Sequence, residues 1–176
     1  MNFLNKLEKQ YRKYAIPNLM YYIVMLYGAG LVIQLFAPMA YWRFLSLDIG
    51  ALMHGQIWRL VTFIIYPPTM GTFVFDSVFF GIISLFLYYS LGVTLERVWG
   101  AFRFNVFFLM GMVGEILAAL VSYFVFHQNL YVTTGFLNFS LFLAFAICFP
   151  DVQFYLFMVI PVKAKWMAIA ESAVYV

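Results

Sequence analysis

Residues 116–150 read ILAALVSYFVFHQNLYVTTGFLNFSLFLAFAICFP, a run of 35 residues without an Asp, Glu, Lys or Arg. An α-helix needs about 20 mostly apolar residues to cross the hydrocarbon core of a bilayer. The run is too long for one span, and the polar triplet at 127–129 favours a turn inside it. Two more uncharged runs, 14–42 and 77–95, are each long enough for a span. This pattern predicts an all-α polytopic membrane protein.

Composition supports this prediction. Of the 176 residues, 66% are hydrophobic and only 10% are charged, whereas a soluble domain has about 25% charged residues. So few charges cannot cover a water-soluble surface. Membrane β-strands would alternate apolar and polar residues over about 10 positions, and the runs show no such alternation. The spanning elements are therefore expected to be helices.

The chain divides into a leader and a transmembrane domain, residues 1–16 and 17–176. The leader places apolar residues at helical spacing among basic ones, which is typical of an amphipathic helix on a membrane surface; a merely solvated charged leader is the alternative. Four full spans are expected at about 17–36, 74–95, 104–126 and 133–149, with an incomplete fifth at 166–176. Charges and prolines interrupt the segment 37–73, which is predicted to be a partly immersed outer loop of short helices. The incomplete fifth span indicates a fragment of a longer chain.

The distribution of basic residues predicts the orientation, because Lys and Arg are retained on the cytoplasmic side. Only Arg43 and Arg59 fall in the loop 37–73. Eight basic residues fall on the side of the amino terminus: Lys6, Lys9, Arg12, Lys13, Arg97, Arg103, Lys163 and Lys165. The amino terminus is therefore expected in the cytoplasm and the loop outside.

Three segments, taken in order, resemble the rhomboid superfamily of intramembrane proteases. They are GQIWRLVT at 55–62, LGVTLERVWGAFRF at 91–104 and PVKAKW at 161–166. They are similar to the family's outer-loop Trp-Arg motif, the turn between its second and third spans, and the basic loop before its fifth span. The resemblance covers about residues 17–176. It implies a rhomboid-like helical bundle in a bacterial cytoplasmic membrane.

Some of these residues also have a simple structural interpretation. Trp58 and Arg59 are either the family's loop motif or a generic anchor, with an aromatic ring and a cation at the level of the headgroups. Glu96 and Arg103 are predicted to pair across the cytoplasmic turn.

The catalytic residues of the family are not found at the corresponding positions. An active rhomboid uses a serine in a Gly-x-Ser-Gly motif and a histidine on its sixth span, because a serine hydroxyl is a weak nucleophile without an adjacent base. The resemblance places Gly135 at the serine position, and Phe80 and Ser84 where the family has the histidine and asparagine that hold the oxyanion. Both histidines, His54 and His127, precede the fourth span. The resemblance therefore implies an inactive or truncated member.

Glu115 is the most unusual residue of the predicted spans. A bare carboxylate at this depth costs several kcal/mol unless it is protonated or partnered, so Glu115 should face protein. Gly111, Ala118 and Ser122 share its helical face, and small residues let helices approach closely. Asn138 on the fourth span is the predicted hydrogen-bond partner. Both a buried polar clamp and a proton-linked or ligand site fit this pattern.

The function favoured by the sequence is that of a rhomboid-like pseudoprotease, which binds transmembrane segments of client proteins without cutting them. One alternative is an intramembrane serine protease whose motif is misaligned or whose carboxyl end is missing. A second alternative is a small carrier centred on Glu115. The expected partners are membrane lipids and client transmembrane helices. No metal, cofactor or nucleic-acid partner is predicted.

Overall fold

A computed structural model describes residues 3–66, 74–128, 132–156, 160–166 and 168–169. The described chain is mostly helical, as predicted. In chain order its helices are α1 (Phe3–Tyr11), α2 (Leu19–Phe36), α3 (Pro38–Ala40), α4 (Ile49–Met53), α5 (Arg59–Thr62), α6 (Val74–Trp99), α7 (Ala101–Val125) and α8 (Gly135–Cys148). Short 3-10 helices follow α1 at Arg12–Tyr14 and α5 at Phe63–Ile65, and a π-helical turn follows α3 at Tyr41–Leu45.

Three helical segments are long and apolar enough to cross a membrane. They are α2, the part Phe79–Trp99 of α6, and α7. Their lengths are 18, 21 and 25 residues. At 1.5 Å per residue, α7 is about 37 Å long, which exceeds the hydrocarbon thickness of about 30 Å. These three candidate spans lie at the positions expected for the first three spans and indicate a membrane protein.

The other two predicted spans differ from these three. Helix α8 is apolar but has only 14 residues, or about 21 Å, so by itself it is shorter than the hydrocarbon core. The predicted fifth span falls mainly on residues 167 and 170–176, which lie outside the described residues.

The junction between α6 and α7 is a single residue, Gly100. Its φ of 85° lies in the left-handed region, which glycine enters without the steric cost that a side chain would add. One residue is therefore enough to end α6 at Trp99 and begin α7 at Ala101.

Helices α2 and α6 pack closely at two glycines. A Cβ atom built on Gly92 would lie 2.3 Å from Met20 Cγ, and one built on Gly81 would lie 2.6 Å from Leu31 Cδ2. The two contacts are separated by 11 residues on each helix and run in opposite directions, so the helices are antiparallel. Because glycine has no side chain, the two backbones can approach closely at these positions, as is common between membrane helices.

An antiparallel hairpin follows α8, which the sequence analysis had not predicted. Strand β1 (Gln153–Leu156) pairs with β2 (Ile160–Lys163), with Gln153 opposite Lys163. Lys163 Nζ also lies 3.0 Å from Asp151 Oδ1. This hydrogen bond and the lysine charge lower the pKa of the exposed Asp151 carboxyl.

Candidate functional site

A cavity of about 470 Å³ lies between α7 and α8. Helix α7 contributes four small residues to its wall, Gly111, Gly114, Ala118 and Ala119. Helix α8 contributes Phe136, Leu137 and Ser140. Gly114, Ala118 and Phe136 are exposed on the surface of the bundle. Since α7 is a candidate span, the cavity opens sideways, toward lipid or another membrane helix.

Glu115 lies in the wall of this cavity and is only 6% exposed. Its Oε1 accepts a hydrogen bond of 2.8 Å from the backbone N–H of Leu137. Leu137 is the third residue of α8, and the first N–H groups of a helix have no acceptor within the helix. The residue before α8, Thr134, makes no capping bond with its side chain. Glu115 therefore caps α8 from a neighbouring helix, where the helix dipole also favours a negative group.

The second oxygen of this carboxyl group, Oε2, is buried and has no hydrogen-bond partner within the described part of the chain. The sequence had predicted Asn138 as the partner of Glu115, but the structure shows different bonds for the two side chains. Asn138 hydrogen-bonds to other groups, and Glu115 reaches the α8 backbone one residue earlier.

Asn138 belongs to a buried network that links α2, α8 and the outer loop. Its Oδ1 accepts from Tyr27 Oη at 3.0 Å, and its Nδ2 donates to Thr134 Oγ1 at 3.1 Å. Thr134 Oγ1 in turn donates to the backbone carbonyl of Tyr66 at 2.8 Å. All three side chains are almost completely buried. Polar groups at membrane depth need such internal partners because no water can replace them.

The side-chain pair Tyr27 and Asn138 is expected to be energetically coupled. Tyr27→Phe and Asn138→Leu remove the same hydrogen bond, so the double variant should be more stable than additivity predicts, by about 0.5–1.5 kcal/mol. Unfolding in detergent micelles measures the change in the free energy of unfolding for each single variant and for the double variant. Thr94→Val serves as a control, because the Thr94 hydroxyl donates to the carbonyl of Ser90 in its own helix and, among the described residues, to no other helix. Additive losses for Tyr27 and Asn138 would show that the bond contributes nothing.

The positions assigned to catalysis by the rhomboid resemblance carry no nucleophile beside a base. Gly135 is the first residue of α8 and is half-buried, as are Phe80 and Ser84 on α6. Neither histidine is among the residues that line the cavity. Nδ1 of the exposed His54 lies 2.7 Å from the carbonyl oxygen of Gly50.

Arg59 is enclosed by the outer loop and is only 3% exposed. Its Nε donates to Gln56 Oε1 at 2.6 Å, and its Nη1 donates to the carbonyl oxygen of Ser46 at 2.7 Å. Its Nη2 donates to the carbonyl oxygen of Arg43. A cation that anchors the chain to lipid headgroups would be exposed, whereas Arg59 is enclosed by protein. The guanidinium instead joins two stretches of the loop.

Trp58, next to Arg59, also bonds to the loop, through its ring nitrogen. Nε1 donates to the carbonyl oxygen of Phe44 at 3.0 Å, while 52% of the residue is exposed. Thr62 adds a third connection, from Oγ1 to the carbonyl oxygen of Leu45 at 3.1 Å. We refer to residues 43–46 and 56–62, with these bonds, as the loop clasp.

Glu96 and Arg103 do not form the predicted pair, because Arg103 binds the leader and Glu96 binds the backbone just before α2. Glu96 Oε1 accepts from the backbone N–H of Asn18 at 2.6 Å, just before α2. Arg103 Nε donates to Glu8 Oε2 at 3.0 Å, and its Nη2 donates to Asn5 Oδ1 at 3.0 Å. The turn between α6 and α7 therefore holds both α1 and the start of α2.

The outer loop closes on the end of α8 that borders the cavity. Leu47 forms an isolated antiparallel bridge with Val132, a residue of the cavity wall. The bond from Thr134 to Tyr66 ties the loop to the start of α8. Comparison of the chain with protein-family models, with curated proteins and with solved structures finds no match.

Proposed function

We propose that the chain is a rhomboid-like pseudoprotease, which binds transmembrane segments of membrane-protein clients without cleaving them. The observation that carries this proposal is the cavity that opens sideways between α7 and α8. It lies on a candidate span, and small residues form the α7 side of its wall.

The geometry of α7 suits a helix as the occupant. Gly114 and Ala118 are four residues apart and form a small-xxx-small pattern, which lets a second helix approach closely. A Cβ built on Gly114 would have no atom within 4 Å, and one built on Gly111 would only touch Leu137 at 3.6 Å. A neighbouring helix can therefore fill space that the chain's described residues leave open.

The absence of cleavage is supported by the position of Gly135. The resemblance places the family's nucleophile there, and glycine has no side chain that could attack a peptide bond. Ser140, on the next turn of α8, donates its hydroxyl to the carbonyl oxygen of Leu137 at 2.8 Å. It is engaged within its own helix.

The same proposal includes four spans, with α8 extended to about 133–149 as the fourth, and an amino terminus in the cytoplasm. In a Cys148→Ala background, Met53→Cys in the exposed part of the loop should react with an impermeant maleimide on intact spheroplasts. Lys9→Cys in the leader should react only after permeabilisation. Labelling of Lys9→Cys on intact spheroplasts, with Met53→Cys protected, would reverse the orientation.

Filling the cavity tests client binding. Gly114→Leu places a side chain in the open space, so a fluorescent alanine–leucine peptide of about 20 residues should bind the chain in nanodiscs roughly 5- to 100-fold more weakly. Gly28→Leu is the matched control, because a Cβ at Gly28 also meets no atom within 4 Å but lies on α2, away from the cavity. Equal binding by both variants, or an equal loss, would contradict the proposal.

The bound peptide should stay intact. Incubation with the wild-type chain should produce no fragments by mass spectrometry, and a fluorophosphonate probe should leave the chain unlabelled. Labelling that disappears in Ser140→Ala would instead establish the alternative, an intramembrane serine protease.

A second candidate is a small carrier centred on Glu115, favoured by the unpartnered Oε2 beside the cavity. A cavity of this volume is within the usual range for small molecules, about 300–1,000 Å³. Solute or proton flux in proteoliposomes that is lost in Glu115→Gln, without any binding of the peptide, would favour the carrier.

A further inference from the structure

One buried oxygen of the cavity wall has no use in the fold described so far. Glu115 Oε1 holds the N–H of Leu137, but Oε2 is enclosed and has no partner within the described residues. An unsatisfied polar atom at membrane depth is costly, because no water is present to bond it. Glu115 is among the residues that line the cavity.

We propose that Glu115 selects the occupant of the cavity, and that the clients are transmembrane helices with a basic residue, Lys or Arg, near the middle of the span. This inference rests on the proposed function and specifies the class of client. The amino group or guanidinium of the client donates a hydrogen bond to Oε2.

The surroundings of Glu115 favour a cationic donor. Desolvation at this depth disfavours the ionised carboxylate, and the N–H of Leu137 and the amino end of α8 offset only part of that cost. A cation from the client would offset more of it, because an ionised carboxylate is only an acceptor. The described residues that line the cavity include no Lys, Arg or His that could supply the countercharge. A basic residue inside a single span is equally costly without a partner, so pairing removes both penalties.

The depth of Glu115 sets where the basic residue must lie. Ten residues separate Glu115 from the end of α7 at Val125, which corresponds to about 15 Å. This is half of the hydrocarbon thickness of about 30 Å. Gly114 and Ala118 flank Glu115 and let the client backbone come near enough for a direct bond.

Three peptides test the selection against the full chain in phosphatidylcholine nanodiscs. They share one alanine–leucine span and differ only in the central residue, which is Lys, norleucine or Glu. Norleucine keeps the straight chain of lysine without its amine. The Lys peptide should bind about 3- to 30-fold more tightly than the norleucine peptide, and the Glu peptide should bind most weakly.

Glu115→Gln assigns the effect to this side chain. Glutamine can still accept from the N–H of Leu137, so α8 keeps its cap, but the charge is lost. The preference for Lys over norleucine should fall to about one, with binding of norleucine unchanged. Glu96→Gln is the matched control, because Glu96 bonds to the N–H of Asn18 and is not among the residues that line the cavity; it should keep the full preference.

Equal binding of the Lys and norleucine peptides, with both lost in Gly114→Leu, would overturn this inference and leave the proposed function intact. Absence of binding by all three peptides would overturn both. If Glu115→Gln fails to fold, the comparison of the three peptides on the wild-type chain decides the question alone.

Discussion

Arg59→Ala is expected to lower the free energy of unfolding by about 3–5 kcal/mol. The guanidinium donates to four acceptors in the loop clasp, and two of them are backbone carbonyls. Each buried acceptor that loses its donor costs about 1–3 kcal/mol. Lysine cannot reproduce the planar fork of the guanidinium, so Arg59→Lys should recover only part of the loss. Thermal or denaturant unfolding in detergent micelles measures both effects.

Arg43→Ala is the control for this prediction. Arg43 lies in the same loop, but it accepts from Arg59 through its backbone carbonyl, which alanine retains. Its own side chain is exposed and lies over the ring of Phe44. The expected change is within about 0.5 kcal/mol. A loss as large as that of Arg59→Ala would mean that loop charge, and not the clasp, stabilises this region.

Gly92→Ala is expected to destabilise the pair α2 and α6 by about 1–3 kcal/mol. The new Cβ would lie 2.3 Å from Cγ and 2.9 Å from Cβ of Met20. Met20 Cβ is fixed to the backbone of α2, so the helices must separate. Gly92→Leu should prevent accumulation of the folded chain, as measured by its yield as a monodisperse species in detergent.

Two other glycines give a graded comparison. Gly81→Ala meets only the side chain of Leu31, with Cδ2 at 2.6 Å, and this flexible end can rotate away. It should cost less than Gly92→Ala. Gly28→Ala meets no atom within 4 Å and should be neutral or slightly stabilising. If all three substitutions had the same effect, loss of glycine itself and not helix contact would be responsible.

The loop motif shows which features of the outer loop could be predicted from the sequence and which could not. The sequence identified Trp58 and Arg59 as the important residues of the outer loop, but its generic alternative placed Arg59 at the headgroups. A single chain position cannot reveal whether a cation has carbonyl acceptors, because those acceptors come from residues 13 and 16 positions earlier. Burial of Arg59 follows from how the loop folds back on itself.

At the candidate site, too, the sequence identified the important residue but not its partner. Glu115 stood out because a carboxylate in an apolar run is rare, and small residues on its face indicated close packing. No sequence pattern distinguishes Asn138 from the backbone of Leu137 as its partner, since both lie on the same turn of α8. Tyr27 and Thr134 were missed, although a tyrosine within a span is itself a sign that its hydroxyl needs a buried partner.

The sequence alone predicted a helical membrane chain and the positions of its three long apolar helices. These features depend on a local quantity, the length of an apolar run compared with the thickness of a bilayer. The tertiary structure decided the partners of Glu96, Arg103, Glu115 and Asn138, and with them the cavity. Glu96 and Arg103 are close along the chain, yet their partners, Asn18 and Glu8, lie 78 and 95 residues away in the sequence. Such pairings depend on which helices become neighbours and in what register. Tertiary packing decides both, and because it brings together residues that are far apart in the sequence, no local sequence pattern predicts them.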